Sequence, residues 1–331
     1  SMFRVAIEST TDFRRLLSTK DSAAVTFRVR SKQLSIMIAS TEIIVIYHVK
    51  EPVDCEDCSF AVNRESFLRL YRSGDFAVDV NGSTVTVYFY DANGALTHSA
   101  DFLYLQDAES LYVEMLHVLE SGGGEEIGVG DILPMVRLAI AQQASLQVRN
   151  YVATIVLNNN LKVFKPVGTR VSFSIRPDYL RHLVNNQTVW YKVQQYVCTK
   201  NGNLTYICAT DRLSDCDSEY SMVHGGYNLA VKLRMFVGIK PLRELVNSHF
   251  VFDSMMLDLD SRQLVLDGMV KCRILLEITD LKRTSDFNVT ELQIPKSILG
   301  ILGIFGDKVM LTHRKQFISL SDTSGVEVYF N

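Results

Sequence analysis

Residues 58–102 read CSFAVNRESFLRLYRSGDFAVDVNGSTVTVYFYDANGALTHSADF. The run 58–62 has strand character, 64–72 has helical spacing, and 75–80, 83–90 and 96–102 are three further β-rich runs. Asn81-Gly82 and Asn93-Gly94 stand between the last three. These dipeptides accept the positive φ that a two-residue hairpin demands, so the three runs fold back on one another. The order is strand, helix, strand, strand, strand.

The same order precedes this stretch. Phe3, Val5 and Ile7 alternate as a strand, Thr10 or Thr11 caps a helix that runs to Ser18, and 24–30, 33–39 and 42–49 are β-rich. It also follows it. Helix 130–143, with Pro134 in its first turn, leads to strands 151–157 and 161–165 around Asn158-Asn159-Asn160. Strand 171–175 and helix 177–184 lead to strands 188–197 and 204–209 around Asn201-Gly202-Asn203. A strand at 227–232, a helix within 233–247 that contains Pro241, and strands 250–259, 263–268 and 271–278 form the next unit. Strand 287–292, helix 295–302 and strands 308–312, 316–321 and 325–330 form the last.

Six units therefore begin near residues 3, 58, 126, 171, 227 and 287. Internal repeats decide architecture before any single motif does. Paired, the units predict an α+β chain of three domains, 2–110, 111–221 and 222–331, with short helices on strand-rich layers. The second domain is the least regular: its first unit shows two clear strands before 171–175, which either closes that unit or opens the next.

Composition narrows the function. The chain has 331 residues, 47% hydrophobic and 21% charged, with a formal net charge of −3, which excludes a disordered chain and a bulk-basic nucleic-acid binder. No run reaches the roughly 18 apolar residues of a membrane helix and no apolar run follows the first residues, so an intracellular protein is expected. The six cysteines and the sequons at Asn81, Asn186, Asn203 and Asn288 then do not mark a secreted, disulfide-bearing protein.

Chemistry-bearing motifs are absent. There is no G-x-x-x-x-G-K-S/T, no H-E-x-x-H and no G-x-S-x-G, and the seven histidines are scattered singly. Cys55-Glu56-Asp57-Cys58 lacks a second ligand pair at zinc spacing and reads as a solvated loop with two free thiols. Gly122-Gly123-Gly124 is followed by Glu125 and Glu126, which repel an anion, and reads as a linker. The expectation is a non-enzyme with no catalytic residues, no metal site and no cofactor.

Charge is sorted by element. Residues 101–131 hold eight acids and no Lys or Arg, and 211–219 is a second acidic break. The predicted helices are basic: Arg14 and Arg15 in the first, Arg64, Arg69 and Arg72 in the second, Arg137 in the third, Arg176 and Arg181 in the fourth, Arg234, Lys240 and Arg243 in the fifth, Lys296 in the sixth. If repeated units place their helices on a common side, these charges add into one surface. Such a surface holds a phosphate backbone without reading bases.

At this point the chain resembles the DNA sliding clamps. Residues 33–44, QLSIMIASTEII, are similar to a strand–turn–strand of the eukaryotic branch, proliferating cell nuclear antigen. Phe287-Asn288-Val289, Val309-Met310-Leu311-Thr312 and the final strand resemble the closing unit of the bacterial β-clamp branch. Residues 161–171, LKVFKPVGTRV, resemble the bacterial segment that lines a partner-peptide pocket: Gly168 and Arg170 match, Val171 is a conservative replacement, and Pro166, Val167 and Thr169 depart from it.

The resemblance implies the clamp fold with helices lining one face and sheets outside, and its departures suggest a divergent member, viral (phage) or otherwise distant. It implies a DNA polymerase processivity factor: a head-to-tail homodimeric ring around duplex DNA, set on DNA by a clamp loader, with polymerase and other replication proteins bound by short peptides. Gly168, Arg170 and Val171, with Val326, Val328 and Phe330 of the last strand, would form the peptide pocket. The alternative is a clamp-fold interaction scaffold, or a monomeric viral processivity or transcription factor, that does not encircle DNA.

Overall fold

The computed structural model describes residues 2–120, 122–157, 161–184, 189–227 and 229–331. The predicted turn Asn158-Asn159-Asn160, the sequon Asn186 and the predicted strand start at Thr188 lie outside the described residues.

The first unit is β1 (Met2–Val5), α1 (Thr10–Leu17), β2 (Ala24–Arg30), β3 (Gln33–Ala39) and β4 (Ile43–His48). The second is β5 (Cys58–Asn63), α2 (Arg64–Leu70), β6 (Phe76–Asn81), β7 (Thr84–Tyr90) and β8 (Leu96–Leu103). A short 3-10 turn and α3 (Val113–Glu120) follow. The third unit is β9 (Glu125–Gly128), α4 (Leu133–Ala141), β10 (Leu146–Arg149), β11 (Val152–Leu157) and β12 (Leu161–Pro166). The fourth is β13 (Phe173–Ile175), α5 (Pro177–Leu183), β14 (Val189–Val193), β15 (Tyr196–Asn201) and β16 (Leu204–Ala209), after which comes α6 (Ser218–His224). The fifth is β17 (Val231–Gly238), α7 (Lys240–Asn247), β18 (Ser254–Asp258), β19 (Gln263–Asp267) and β20 (Cys272–Leu275), with β21 (Ile278–Arg283) appended. The sixth is β22 (Glu291–Ile294), a 3-10 helix Lys296–Ile304, β23 (Lys308–Arg314), β24 (Ile318–Ser321) and β25 (Glu327–Phe330).

Helix starts follow local chemistry. Ser9, one residue before the expected Thr10, accepts from the Asp12 amide at 3.1 Å and caps α1. Asn63 caps α2 through the Ser66 amide at 2.8 Å, and Pro134 and Pro241 lie in the first turns of α4 and α7. Gly82 and Gly94 take φ of +62° and +81°, as their hairpins require.

Five expectations are corrected. Residues 146–149 are β10, so the third unit is complete and 173–175 opens the fourth. The run 188–197 is two strands, broken at Gln194 with φ +53°. The expected strand 227–232 is displaced to Val231–Gly238, and Arg234 is therefore on a strand; buried Leu233, Met235 and Val237 alternate with it at period two. Lys296 opens a 3-10 helix. The acidic connectors carry helices, α3 and α6, because Tyr112, Met115 and Leu116, and likewise Tyr220 and Val223, give each an apolar stripe.

The chain divides into two compact units. The first is Ser1–Val129 with Arg181–Thr210. It holds a four-stranded sheet, β1-β6-β7-β8, and an eight-stranded sheet, β5-β2-β3-β4-β16-β15-β14-β9. Helices α1 and α2 pack together, and Phe67 meets Phe13, Phe27, Tyr71, Phe76, Phe89 and Phe102 at ring centroid distances of 5.4–6.3 Å. β4 reads Ile-Ile-Val-Ile-Tyr because both of its faces are buried: the Tyr47 ring meets Phe13 of α1, while Ile44 and Ile46 meet Tyr112, Met115 and Leu116.

The second compact unit is Gly130–Leu180 with Asp211–Asn331. Its sheets are β13-β10-β11-β12-β25-β24-β23-β17-β21 and β20-β19-β18-β22. Helix α7 and the last 3-10 helix pack together around Leu242, Ile298 and Leu302, leaving an apolar void of about 40 Å³. On the nine-stranded sheet, Val152, Phe164, Phe317 and Tyr329 form an aromatic face covered by Tyr220, Val223 and Leu229.

One rule governs all four sheets. In every pair of repeats the leading strand of each unit joins the three-stranded meander of the other: β1 with β6 and β5 with β2, β9 with β14 and β13 with β10, β17 with β23 and β22 with β18.

Candidate nucleic-acid interface and partner site

The twelve basic residues fall into three groups. Four are tied to backbone carbonyls. Arg14 Nη1 donates to Tyr71 O at 2.7 Å, and Arg64 donates from Nη1 to Leu17 O at 2.6 Å and from Nε to Ser22 O at 3.0 Å. Arg243 donates to Gly306 O at 2.7 Å and to Phe305 O, and its Nη1 lies 2.5 Å from Asp307. Lys296 Nζ donates to Phe252 O at 2.6 Å and lies 4.9 Å from the centre of that ring. These cations hold the fold first, because a charged donor on an orphan carbonyl is a strong local bond.

Three more are paired with acids. Arg15 is 3.7 Å from Asp12, Arg69 is 2.6 Å from Glu65 one turn away, and Arg176, which precedes α5, is 3.1 Å from Asp211. Arg72, just beyond α2, Arg137 on α4, Arg181 on α5, Lys240 at the start of α7 and Arg234 on β17 are exposed, with no ion-pair partner among the described residues. Sequence reasoning weighed all twelve equally, because carbonyl brackets are long-range contacts that spacing does not encode.

The six expected peptide-pocket residues all belong to the second compact unit. After β12 the chain alternates, with Val167, Thr169 and Val171 buried and Gly168 and Arg170 exposed. The Gly168 amide donates to Asp131 Oδ2 at 2.6 Å and Lys165 Nζ to Asp131 O at 2.8 Å. β12 and β25 pair antiparallel, Val163 opposite Val328 and Lys162 opposite Tyr329. Val326, Val328, Phe330 and Val171 are at most 5% exposed. They are core residues, and only Gly168 and Arg170 of the six meet solvent; the antiparallel register sets Val328 opposite Val163, five residues before Gly168, so strand pairing does not bring the two groups together.

On the opposite face of the same strands lies a feature that sequence reasoning missed. Lys162 reaches Glu219 at 2.7 Å, Glu327 accepts from or pairs with His224 at 2.6 Å, and Arg149 meets Asp215 and Asp217 at 3.1 Å. These pairs fix α6 over Phe164 and Tyr329. Burial first, and Glu327 second, push the Tyr329 phenol well above its ordinary range. Among the described residues, no group of three His, Cys, Asp or Glu is placed to hold a metal, and no helix is long and apolar enough to cross a membrane.

No family model and no curated protein matches the sequence. Solved structures do match along the whole chain. It is similar to the DNA polymerase sliding clamp from Bacillus subtilis, with a TM-score of 0.69 and 11% identity over 99% of this chain and 98% of that one. It is similar to the DNA polymerase III beta subunit of Thermotoga maritima at 0.65 and 12%, over 99% and 98%. A sliding clamp from Pseudomonas aeruginosa gives 0.66 and 13%, over 100% and 99%. At such identity the likeness is one of fold: the chain has the α+β sliding-clamp fold.

Proposed function

We propose that this chain is a non-enzymatic DNA polymerase processivity factor, closing head to tail with a second copy around duplex DNA. The observation that carries the reading is which strand edges are used. By repeat equivalence, the last strand of the first unit, β4, pairs with the last strand of the fourth, β16, and that of the third, β12, pairs with that of the sixth, β25. The last strands of the second and fifth units, β8 and β20, are sheet edges, paired on one side with β7 and β19 and unpaired on the other among the described strands.

These two edges complement each other. β8 exposes Leu96 and Leu103, the latter 71% exposed, together with Asp101; β20 exposes Leu275, 70% exposed, together with Arg273, and Lys271 precedes it. An open edge with apolar side chains is a template for another strand. A β8–β20 pairing between copies repeats the two pairings already made within the chain, and such a head-to-tail contact closes a ring of two when its rotation is half a turn.

In this reading the domains are 2–110, 111–221 and 222–331. Arg72, Arg137, Arg181 and Lys240 supply sequence-blind phosphate contacts, supported by the bracketed cations. Topological linkage replaces affinity, so a modest charge suffices and does not impede sliding. Exposed Gly168 and Arg170 receive the short peptides of polymerase and other replication proteins, and a clamp loader opens the ring. Sedimentation at micromolar concentration tests the reading: a dimer supports it, and a stable monomer overturns it, because three domains cannot close a ring alone.

A further inference from the structure

The C-x-x-C loop is not absorbed by any clamp role. Cys55 and Cys58 place their Sγ atoms 3.7 Å apart, in van der Waals contact and unbonded. The loop is held from both ends. Val53 is buried and donates its amide to Lys32 O at 2.9 Å, the Ser31 amide donates to Asp57 Oδ1 at 2.8 Å, and Arg30 Nη1 donates to Cys58 O at 3.1 Å. Cys58 is further fixed as the first residue of β5, paired opposite Val29. The dithiol is therefore preorganised, with the approach from 3.7 Å to a bond of about 2.05 Å left to make.

Both thiols open on a cleft of about 960 Å³ whose charged lining is Asp54, Glu56 and Asp57 against Lys32. The cleft admits a small molecule, and its acids favour a cationic one. We propose that Cys55 and Cys58 form a reversible thiol–disulfide exchange site selective for small, positively charged disulfides.

The Cys55 thiolate attacks one sulfur of the external disulfide, whose S–S bond breaks and releases one thiolate. Cys58 then gives its proton to solvent, its Sγ attacks Cys55 Sγ, and the second external thiolate leaves and is protonated. The protein loses two hydrogens and two electrons, and the external disulfide is reduced to two thiols. Cys58 resolves rather than initiates, since burial first and then the bond from Cys55 push its thiol up to about 11. The ring closed is so short that it removes little chain entropy, so the bridge is a redox mark and not a brace. Cys198 and Cys208 are buried and do not compete.

The test uses the full chain with cystamine, a cationic disulfide, and dithiodipropionate, an anionic one of similar size, followed by alkylation and peptide mass mapping. The expected result is a chain lighter by two hydrogens, bridged 55–58, forming about tenfold faster with cystamine, a factor set by roughly 1.4 kcal/mol of charge selection. In Cys58→Ser the reaction stops at a stable cysteamine adduct on Cys55; in Cys55→Ser neither forms at this loop. A wild-type chain that keeps the Cys55 adduct without bridging, or that bridges another pair first, overturns the site. Equal rates with both probes overturn its charge selectivity. Reduction with dithiothreitol restores the original mass if exchange is reversible, and an unreduced product contradicts it.

Discussion

Arg64, the first residue of α2, donates from Nη1 to the carbonyl oxygen of Leu17, the last residue of α1, at 2.6 Å. A cation at a helix C-terminus satisfies an orphan carbonyl and complements the helix dipole. Arg64→Ala is expected to lower unfolding free energy by about 2 kcal/mol, the range for hydrogen bonds from a charged group. Urea denaturation measures it, and a change in duplex affinity without a change in stability would assign Arg64 to DNA instead.

The partnerless cations behave the other way. Arg72→Ala, Arg137→Ala, Arg181→Ala and Lys240→Ala are each expected to leave stability within about 0.5 kcal/mol of the parent. On short duplexes with open ends, each flattens the slope of log affinity against log salt by about 0.9 for each phosphate contact removed. Fluorescence anisotropy over a salt series reads both the slope and its indifference to sequence.

Phe67 is fully buried at the centre of the aromatic cluster of the first compact unit. Phe67→Ala removes a ring from a site walled by other rings, which cannot collapse to fill the space, and is expected to cost about 3–5 kcal/mol. Phe67→Leu costs visibly less, so the ratio of the two separates cavity formation from general loss of burial.

Stability falls on acidification through the histidines. His48, exposed at the end of β4 yet partly enclosed by its neighbours, is pushed below its ordinary value by that enclosure first and by Lys200 second, and half-buried His313 by burial. Each folded-state pKa lies below the unfolded one, so the unfolded chain binds the extra proton. Stability is therefore full above about pH 6.5 and declines as pH falls from there toward the lowered folded values. His48 Nε2 lies 3.0 Å from Thr205 Oγ1, a contact that spans the β4–β16 pairing. His48→Gln is expected to flatten the decline of the denaturation midpoint between pH 7 and pH 5; an unchanged slope would remove His48 from the account.

The repeat was legible because its signals are local: alternation at Phe3 and Val5, glycine turns at Gly82 and Gly94, prolines at Pro134 and Pro241. What was illegible depends on distant partners. The exchange of leading strands cannot be read from β1 or β5, whose patterns fit any neighbouring sheet. Arg234 was misplaced because a basic residue among apolar ones reads as a helix face until Leu233, Met235 and Val237 show period two. The stripe Tyr112, Met115 and Leu116 that makes α3 is masked in the sequence by the acids around it. At the candidate site, the exposure of Gly168 and Arg170 and the burial of Val328 and Phe330 depend on packing that only the fold supplies.

The edge pairing makes its own forecast. Leu103→Lys on β8 and Leu275→Lys on β20 each replace an exposed apolar side chain on a pairing edge by a charge, and each is expected to weaken self-association at least tenfold, about 1.4 kcal/mol or more, with the thermal midpoint of the monomer kept. Sedimentation equilibrium measures the shift. Equal association of both variants and the parent would move the contact elsewhere.

Encirclement is tested most directly by DNA topology. The protein, with a clamp loader and ATP or at a concentration that permits spontaneous closure, is placed on nicked circular duplex, separated from free protein by gel filtration, and the circle is then cut once. The account predicts co-elution with the intact circle and release on linearisation, with Leu103→Lys failing to be retained at all. Retention that is the same on circular and linear DNA would contradict it.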